Sequence, residues 1–142
     1  MKKGFTCGSF DIIHFGQIEM LKECKKVCDY LIVGLQEDPT IDRPEKNKPI
    51  HSLEKRKIVL EAIRYVDEIR IYNTEKELYG LLQKLLEEKN IDIRIIGADW
   101  KGKGYIGYDL PIPVYFNKRN HNWSTTKLRE HIYLSEKAKR EK

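Results

Sequence analysis

Residues 30–36 read Tyr-Leu-Ile-Val-Gly-Leu-Gln, an apolar run that offers no polar face. A strand with one wet side alternates apolar and polar residues, whereas a strand covered on both sides need not. The run therefore predicts an inner strand of a parallel sheet, and parallel neighbours require long crossovers, usually helices. The rest of the chain supplies them. Strand-like runs are expected at residues 3–7, 66–71, 91–96 and 112–116. Helices are expected at 16–29, from the Ser52 cap to about residue 65, at 74–90 and at 125–137. Ile18, Leu21 and Val27 are the inward positions of the first helix, and Ile58, Val59, Ala62 and Ile63 the apolar stripe of the second. Thr74 and Glu77 have capping-box spacing, and Asn90 is a plausible left-handed stop for the third helix. Pro39, Pro44 and Pro49 exclude a regular helix from the polar loop at 37–50, and residues 98–109 form a Gly-rich loop.

Repeated β-α units with right-handed crossovers give an α/β fold, an open parallel sheet with helices on both faces. The expectation is a single Rossmann-like domain over residues 1–134, with five strands in the order 3-2-1-4-5. Residues 135–142 would be a charged, solvated tail. In this order the switch point lies between strands one and four, and ligands bind beyond the strands' carboxyl ends. The segment after strand one and Gly97-Ala98-Asp99-Trp100 after strand four then face one crevice.

The composition fits a globular chain of 142 residues, with 40% hydrophobic and 35% charged residues. A net charge of +5 suits a lysine-rich surface or an anionic partner. An RNA-binding module would need basic residues interleaved with aromatics, which the chain lacks, so no nucleic-acid partner is expected. Met1-Lys2-Lys3 is not followed by an apolar segment, and no run approaches membrane-spanning length. A cytoplasmic location and no membrane partner are expected. Cys24 and Cys28 share a helix face, but no His or further Cys supports them, so they and Cys7 read as free thiols rather than metal ligands.

Residues 8–17 carry the chemistry: Gly8-Ser9-Phe10-Asp11-Ile12-Ile13-His14-Phe15-Gly16-Gln17. They join a strand to a helix start, where unpaired N–H groups and the helix dipole favour anions. His14 and Gln17 are three apart and can point the same way. Gly16 permits close approach of backbone to ligand. The combination suits a nucleoside triphosphate.

Here the chain resembles the cytidylyltransferases of the HxGH nucleotidyltransferase superfamily, and in particular the glycerol-3-phosphate cytidylyltransferases. The opening segment resembles their G-T-F-D-x-x-H-x-G-H. His51-Ser52-Leu53-Glu54-Lys55-Arg56 resembles the segment that opens their third-strand unit, and Arg64-Tyr65-Val66-Asp67-Glu68-Ile69 resembles R-Y-V-D-E-V. Gly97-Ala98-Asp99-Trp100 resembles G-D-D-W, and Arg119 with Trp123-Ser124-Thr125-Thr126-Lys127 resembles R-T-E-G-I-S-T-T-K. The motifs keep family order across nearly the whole chain.

The resemblance implies transfer of CMP from CTP to an alcohol phosphate, with glycerol 3-phosphate the leading acceptor. His14 would contact the phosphates, with Gln17 beside it. The backbone of Gly8, Ser9 and Phe10, with Asp11 and Gly16, would cradle the nucleotide. Arg119, Ser124, Thr125 and Thr126 would bind phosphates, and Asp99 would lie near nucleotide or acceptor. Lys46 or Lys48 would reach over the site from the proline-rich loop, and both stand as candidates because the loop differs in length from the family pattern. Mg²⁺ would be held by phosphates and water, and a homodimer is implied, with the Arg64–Glu68 stretch near its interface. His51 and His121 are read as loop histidines, and Trp123 as core packing rather than base stacking.

Gln17 stands where the family has a second histidine. Glutamine donates a hydrogen bond but is never cationic. Loss of a charge from a transition-state contact costs on the order of 3 kcal/mol, about a hundredfold in rate. Three readings follow: a working neutral donor, compensation by Lys101, Lys103 or His121, or a nucleotide-binding protein with weak or no turnover.

Overall fold

The computed structural model describes residues 1–118 and 123–142. Its strands are β1 (Lys3–Gly8), β2 (Tyr30–Gln36), β3 (Glu68–Tyr72), β4 (Ile93–Gly97) and β5 (Val114–Asn117). Its helices are α1 (Phe15–Lys26), α2 (Leu53–Glu61), α3 (Glu75–Glu87) and α4 (Thr125–Arg140). The strands form one parallel sheet in the order β3-β2-β1-β4-β5, so the switch point falls between β1 and β4. The apolar run is β2, with its five inner residues buried.

Two cores sandwich the sheet. Leu21 and Cys24 of α1 and Leu60 of α2 pack with Leu31, Val33, Leu35, Ile93 and Ile95 on one face. Leu78, Leu82 and Leu85 of α3 pack with Phe5, Ile32, Ile91 and Ile112 on the other. Residues alternate between the two cores along β2, as the pleat requires.

Four expectations are corrected. α1 stops at Lys26, because the chain must turn back into β2, and the Asp29 carboxylate takes the Lys2 N–H at 2.8 Å there. α2 does not bury Ile58 and Val59, which are 67% and 40% exposed. It buries Arg56 and Leu60 instead, because the Arg56 guanidinium is drawn inward to backbone carbonyls at the ends of β1 and β2 and before α2. α3 is stopped by Lys89 (φ 56°), one residue before Asn90. The Thr74–Glu77 capping box forms as expected. α4 runs through Arg140, past the expected end at residue 137, and from residue 130 onward it is exposed.

Candidate active site

The turn after β1 is strained. Phe10 and Ile12 have φ of 48° and 49°, and Ile12 is β-branched. Such residues hold left-handed backbone only where their surroundings over-determine it. Here three anchors do so. The Phe10 ring is buried and packs so closely on Gly8 that a Cβ there would lie 3.3 Å from it. The Asp11 carboxylate accepts the backbone N–H of Ile50 (2.7 Å) and His51 (3.0 Å). Arg56 Nη1 donates to Ser9 O at 2.9 Å.

Arg56 is the common fastener. It is 2% exposed, and it also donates to Gln36 O (2.6 Å), Glu37 O (2.7 Å) and His51 O (3.0 Å). One guanidinium thus ties the end of β2 and the start of α2 to the turn after β1. Burial lowers its pKa, while Asp11, Asp38 and Glu37 pull the other way.

The turn delivers His14 as the N-cap of α1. Its Nδ1 accepts the Gly16 N–H at 3.1 Å, and Gln17 Oε1 accepts the His14 N–H at 3.2 Å. An Nδ1 that accepts puts the proton of a neutral imidazole on Nε2. Because Gln17 uses its oxygen in the cap, its amide N–H₂ is the end left for a ligand. Glutamine therefore serves the fold and offers a donor at once.

These residues open onto a cleft of about 880 Å³ at the switch point. Gly8, His14, Gly16, Gln17, Lys46, Asp99, Ser124 and Thr125 all line it, so the structure brings together most of the expected set. Ser124 caps α4 by accepting the Lys127 N–H at 3.1 Å, which leaves the first N–H groups of that helix at the cleft. Ser9, Phe10, Asp11, Lys48 and Thr126 do not line it. Asp11 spends both carboxylate oxygens on the loop that begins α2, so its part is structural. Lys48 is exposed near Asp38, whose carboxyl is held low by Thr40 hydrogen bonds first and by the Lys48 charge further down. Arg119 and His121 lie outside the described residues.

Trp123 is not in the core. It is 48% exposed, and its ring centroid lies 6.3 Å from that of His14 and 6.1 Å from that of Phe15. Its indole forms part of the cleft wall over the imidazole. His51 contributes backbone only, through Asp11 and Arg56.

Sequence reasoning missed several cleft residues. Lys101 and Lys103 do not line the cleft, whereas Lys22, Lys26 and Lys118 do. Phe15, Glu19, Lys22, Glu23 and Lys26 lie at helical spacing on the α1 face that looks into the cleft, and that periodicity was the available signal. Glu23 accepts from Tyr115 Oη and from the Lys118 N–H, both at 2.8 Å, and so joins α1 to β5. On the opposite wall Arg43 reaches Glu75 and Trp100, while Arg94 donates to Ile106 O and lies under the Tyr105 ring.

Among the described residues no group of three His, Cys, Asp or Glu side chains converges to hold a metal ion. No helix of the described chain is long and apolar enough to cross a membrane. Cys7, Cys24 and Cys28 are free thiols. Burial pushes the Cys24 thiol up to about 12, helped by Cys28 and Glu23.

Comparison with known proteins places this geometry. A family profile described as cytidylyltransferase-like matches residues 5–131. Glycerol-3-phosphate cytidylyltransferase from Bacillus subtilis (strain 168) is 39% identical over 132 residues, covering 93% of this chain and 98% of that protein. The Staphylococcus aureus protein of the same name is 33% identical over 133 residues, covering 94% and 96%. The crystal structure of a lipopolysaccharide core biosynthesis protein from Thermoplasma volcanium superposes with a TM-score of 0.66 at 25% identity, covering 85% of this chain and 99% of that one.

Proposed function

This chain belongs to the cytidylyltransferase-like family, and on that premise we propose that it transfers CMP from CTP to glycerol 3-phosphate, giving CDP-glycerol and pyrophosphate. The observation that carries the reading is the capped pair His14 and Gln17 lining one cleft together with the N-terminus of α4. An acceptor phosphate oxygen attacks the α-phosphorus of CTP. The bond to the β-phosphate oxygen breaks, and pyrophosphate leaves with its electron pair. No covalent enzyme intermediate is involved. The residues position two anions in line and stabilise charge as it develops.

His14 Nε2–H and the Gln17 amide donate to the α-phosphate region. Ser124, Thr125 and the α4 N-terminus take the β- and γ-phosphates. Lys22, Lys26, Lys46 and Lys118 surround them with positive charge. Arg119, which lies outside the described residues, would by the family resemblance add a planar donor fork for phosphate. Gln17 thus acts as a neutral donor, with cleft lysines supplying the charge. The alternative of a binder without turnover is not favoured, since the donors of the α1 wall are in place and the relatives are transferases by name.

Magnesium fits this donor set only as a phosphate-bound ion. The described residues offer no carboxylate cage, Glu23 and Glu75 are engaged with Tyr115 and Arg43, Glu19 stands apart on the α1 wall, and Asp99 is the exposed carboxylate at the cleft. Asp99 would hold the ion through water, and the ion would supply charge neutralisation to the triphosphate. A homodimer is part of the reading, supported by Ile58, Val59 and Ile71 exposed on α2 and the edge strand β3. Sedimentation at graded concentration checks it. A cytoplasmic setting suits the unpaired thiols.

The test is purified chain with magnesium, CTP or ATP, and a panel of glycerol, ribitol, choline and ethanolamine phosphates, read by ³¹P NMR. Stoichiometric CDP-glycerol and pyrophosphate are expected. Folded protein that is silent across the panel removes the proposal.

A further inference from the structure

The cleft is lined from both faces of the sheet, an α1-side lobe and an α3-side lobe. His14, Gln17, Met20 and Tyr115 line it on the α1 side of the sheet, whereas Cys7, Tyr72, Leu78 and Ile106 line it on the α3 side. The first lobe has an occupant in the triphosphate of the proposed reaction. A second anion must be brought against it, and the second lobe needs a cation of its own.

Three segments meet there. Arg43 comes from the loop after β2, Glu75 is the first residue of α3 after β3, and Trp100 ends the short turn after β4. Arg43 Nε donates to Glu75 Oε1 at 2.6 Å, and its guanidinium carbon lies 5.9 Å from the centroid of the Trp100 ring. The carboxylate raises the pKa of Arg43. Nη1 and Nη2 have no hydrogen-bond acceptor among the described residues. Arg94, the other guanidinium of this lobe, is already committed to Ile106 O and Tyr105.

The loop does not need this side chain to hold its place. The Asp42 carboxylate accepts the Glu75 N–H at 2.6 Å, and the Arg43 N–H bonds Pro39 O at 3.1 Å. A half-exposed ion pair adds little stability of its own. It does fix the plane of a guanidinium whose Nη1–Nη2 edge is uncommitted, on a residue that lines the cleft. That edge matches a phosphate monoester in a two-pronged contact.

We infer that Arg43 binds the phosphate of the acceptor, with Glu75 and Trp100 as positioning residues that hold its guanidinium flat at the cleft. The inference rests on the transferase reading and assigns one substrate to one lobe. Steady-state kinetics of Arg43→Ala should raise the KM for glycerol 3-phosphate roughly 10- to 100-fold, with the KM for CTP within about twofold. Arg43→Lys should restore part of the loss, because it keeps the charge and loses the fork. Glu75→Gln should raise the same KM by less, with kcat near wild type. An unchanged KM for glycerol 3-phosphate in Arg43→Ala, or an equal rise for CTP, overturns the inference while leaving the transferase reading intact. Calorimetric titration of glycerol 3-phosphate into wild type and Arg43→Ala keeps the two separable. Wild-type binding that Arg43→Ala weakens supports the inference even without turnover. Equal binding, or none to wild type, overturns it.

Discussion

On the α1 wall of the cleft, His14 and Gln17 are fixed by backbone: each caps the other's turn, and the loop behind them is tied down by Asp11 and Arg56. On the α3 wall, Arg43 is fixed by side chains, one carboxylate and one indole drawn from different segments. A backbone-anchored group moves only if the fold moves. A side-chain-anchored group can be retuned by one substitution. On the proposed reaction, the difference suits a wall that holds the triphosphate facing a wall that selects the acceptor.

The largest expected effect comes from removing the anchor. Arg56→Ala leaves four backbone carbonyls without their donor and should cost about 3–5 kcal/mol of stability, read by denaturant unfolding. Arg56→Lys should recover little, since a single ammonium cannot reach all four. A loss below about 1 kcal/mol would show that the α1 wall does not depend on this fastener.

His14→Asn keeps a competent N-cap and removes the imidazole. kcat should fall about 10²- to 10³-fold with the unfolding midpoint nearly unchanged. Gln17→Glu divides the two duties of that residue. The carboxylate still accepts the His14 N–H, but the amide donor is lost and a negative charge faces the phosphates. A kcat loss of about a hundredfold is expected, with the helix intact by circular dichroism. Equal activity would mean Gln17 serves the cap alone.

A smaller effect probes the packing beneath α1. The folded Cys24 thiol sits at about 12 against an ordinary 9.0, so the fold favours its neutral form. That stabilisation is fully present below pH 9 and is lost as pH rises through 12. Between pH 8 and 10.5 wild type should lose about 2 kcal/mol more than Cys24→Ala in denaturant unfolding. Parallel losses in the two proteins would place the thiol in a more polar setting than the core described above.

The fold was legible because parallel β-α topology follows from period and punctuation. The β2 run, the Ser52 cap and the Thr74–Glu77 box act over a few residues and needed no tertiary context. The α2 stripe was not legible. Ile58 and Val59 look inward by hydrophobicity, yet four distant carbonyls pull Arg56 inward instead. The site divides in the same way. His14, Gln17 and Ser124 sit at helix starts and announced themselves locally. Asp11 looked like a ligand group because its bonds to Ile50 and His51 span some forty positions of sequence. Arg43 gave no local sign, since its meaning comes from Glu75 and Trp100 meeting it across the sheet.

On the proposed reaction, this cleft turns over with a neutral donor in the position of the family's second histidine. The direct measurement is kcat for wild type and Gln17→His, side by side, with saturating CTP, magnesium and glycerol 3-phosphate. Wild type should turn over within about tenfold of Gln17→His, a difference near 1.4 kcal/mol in barrier. Wild-type protein that binds CTP and releases no pyrophosphate, while Gln17→His releases it readily, would contradict the claim.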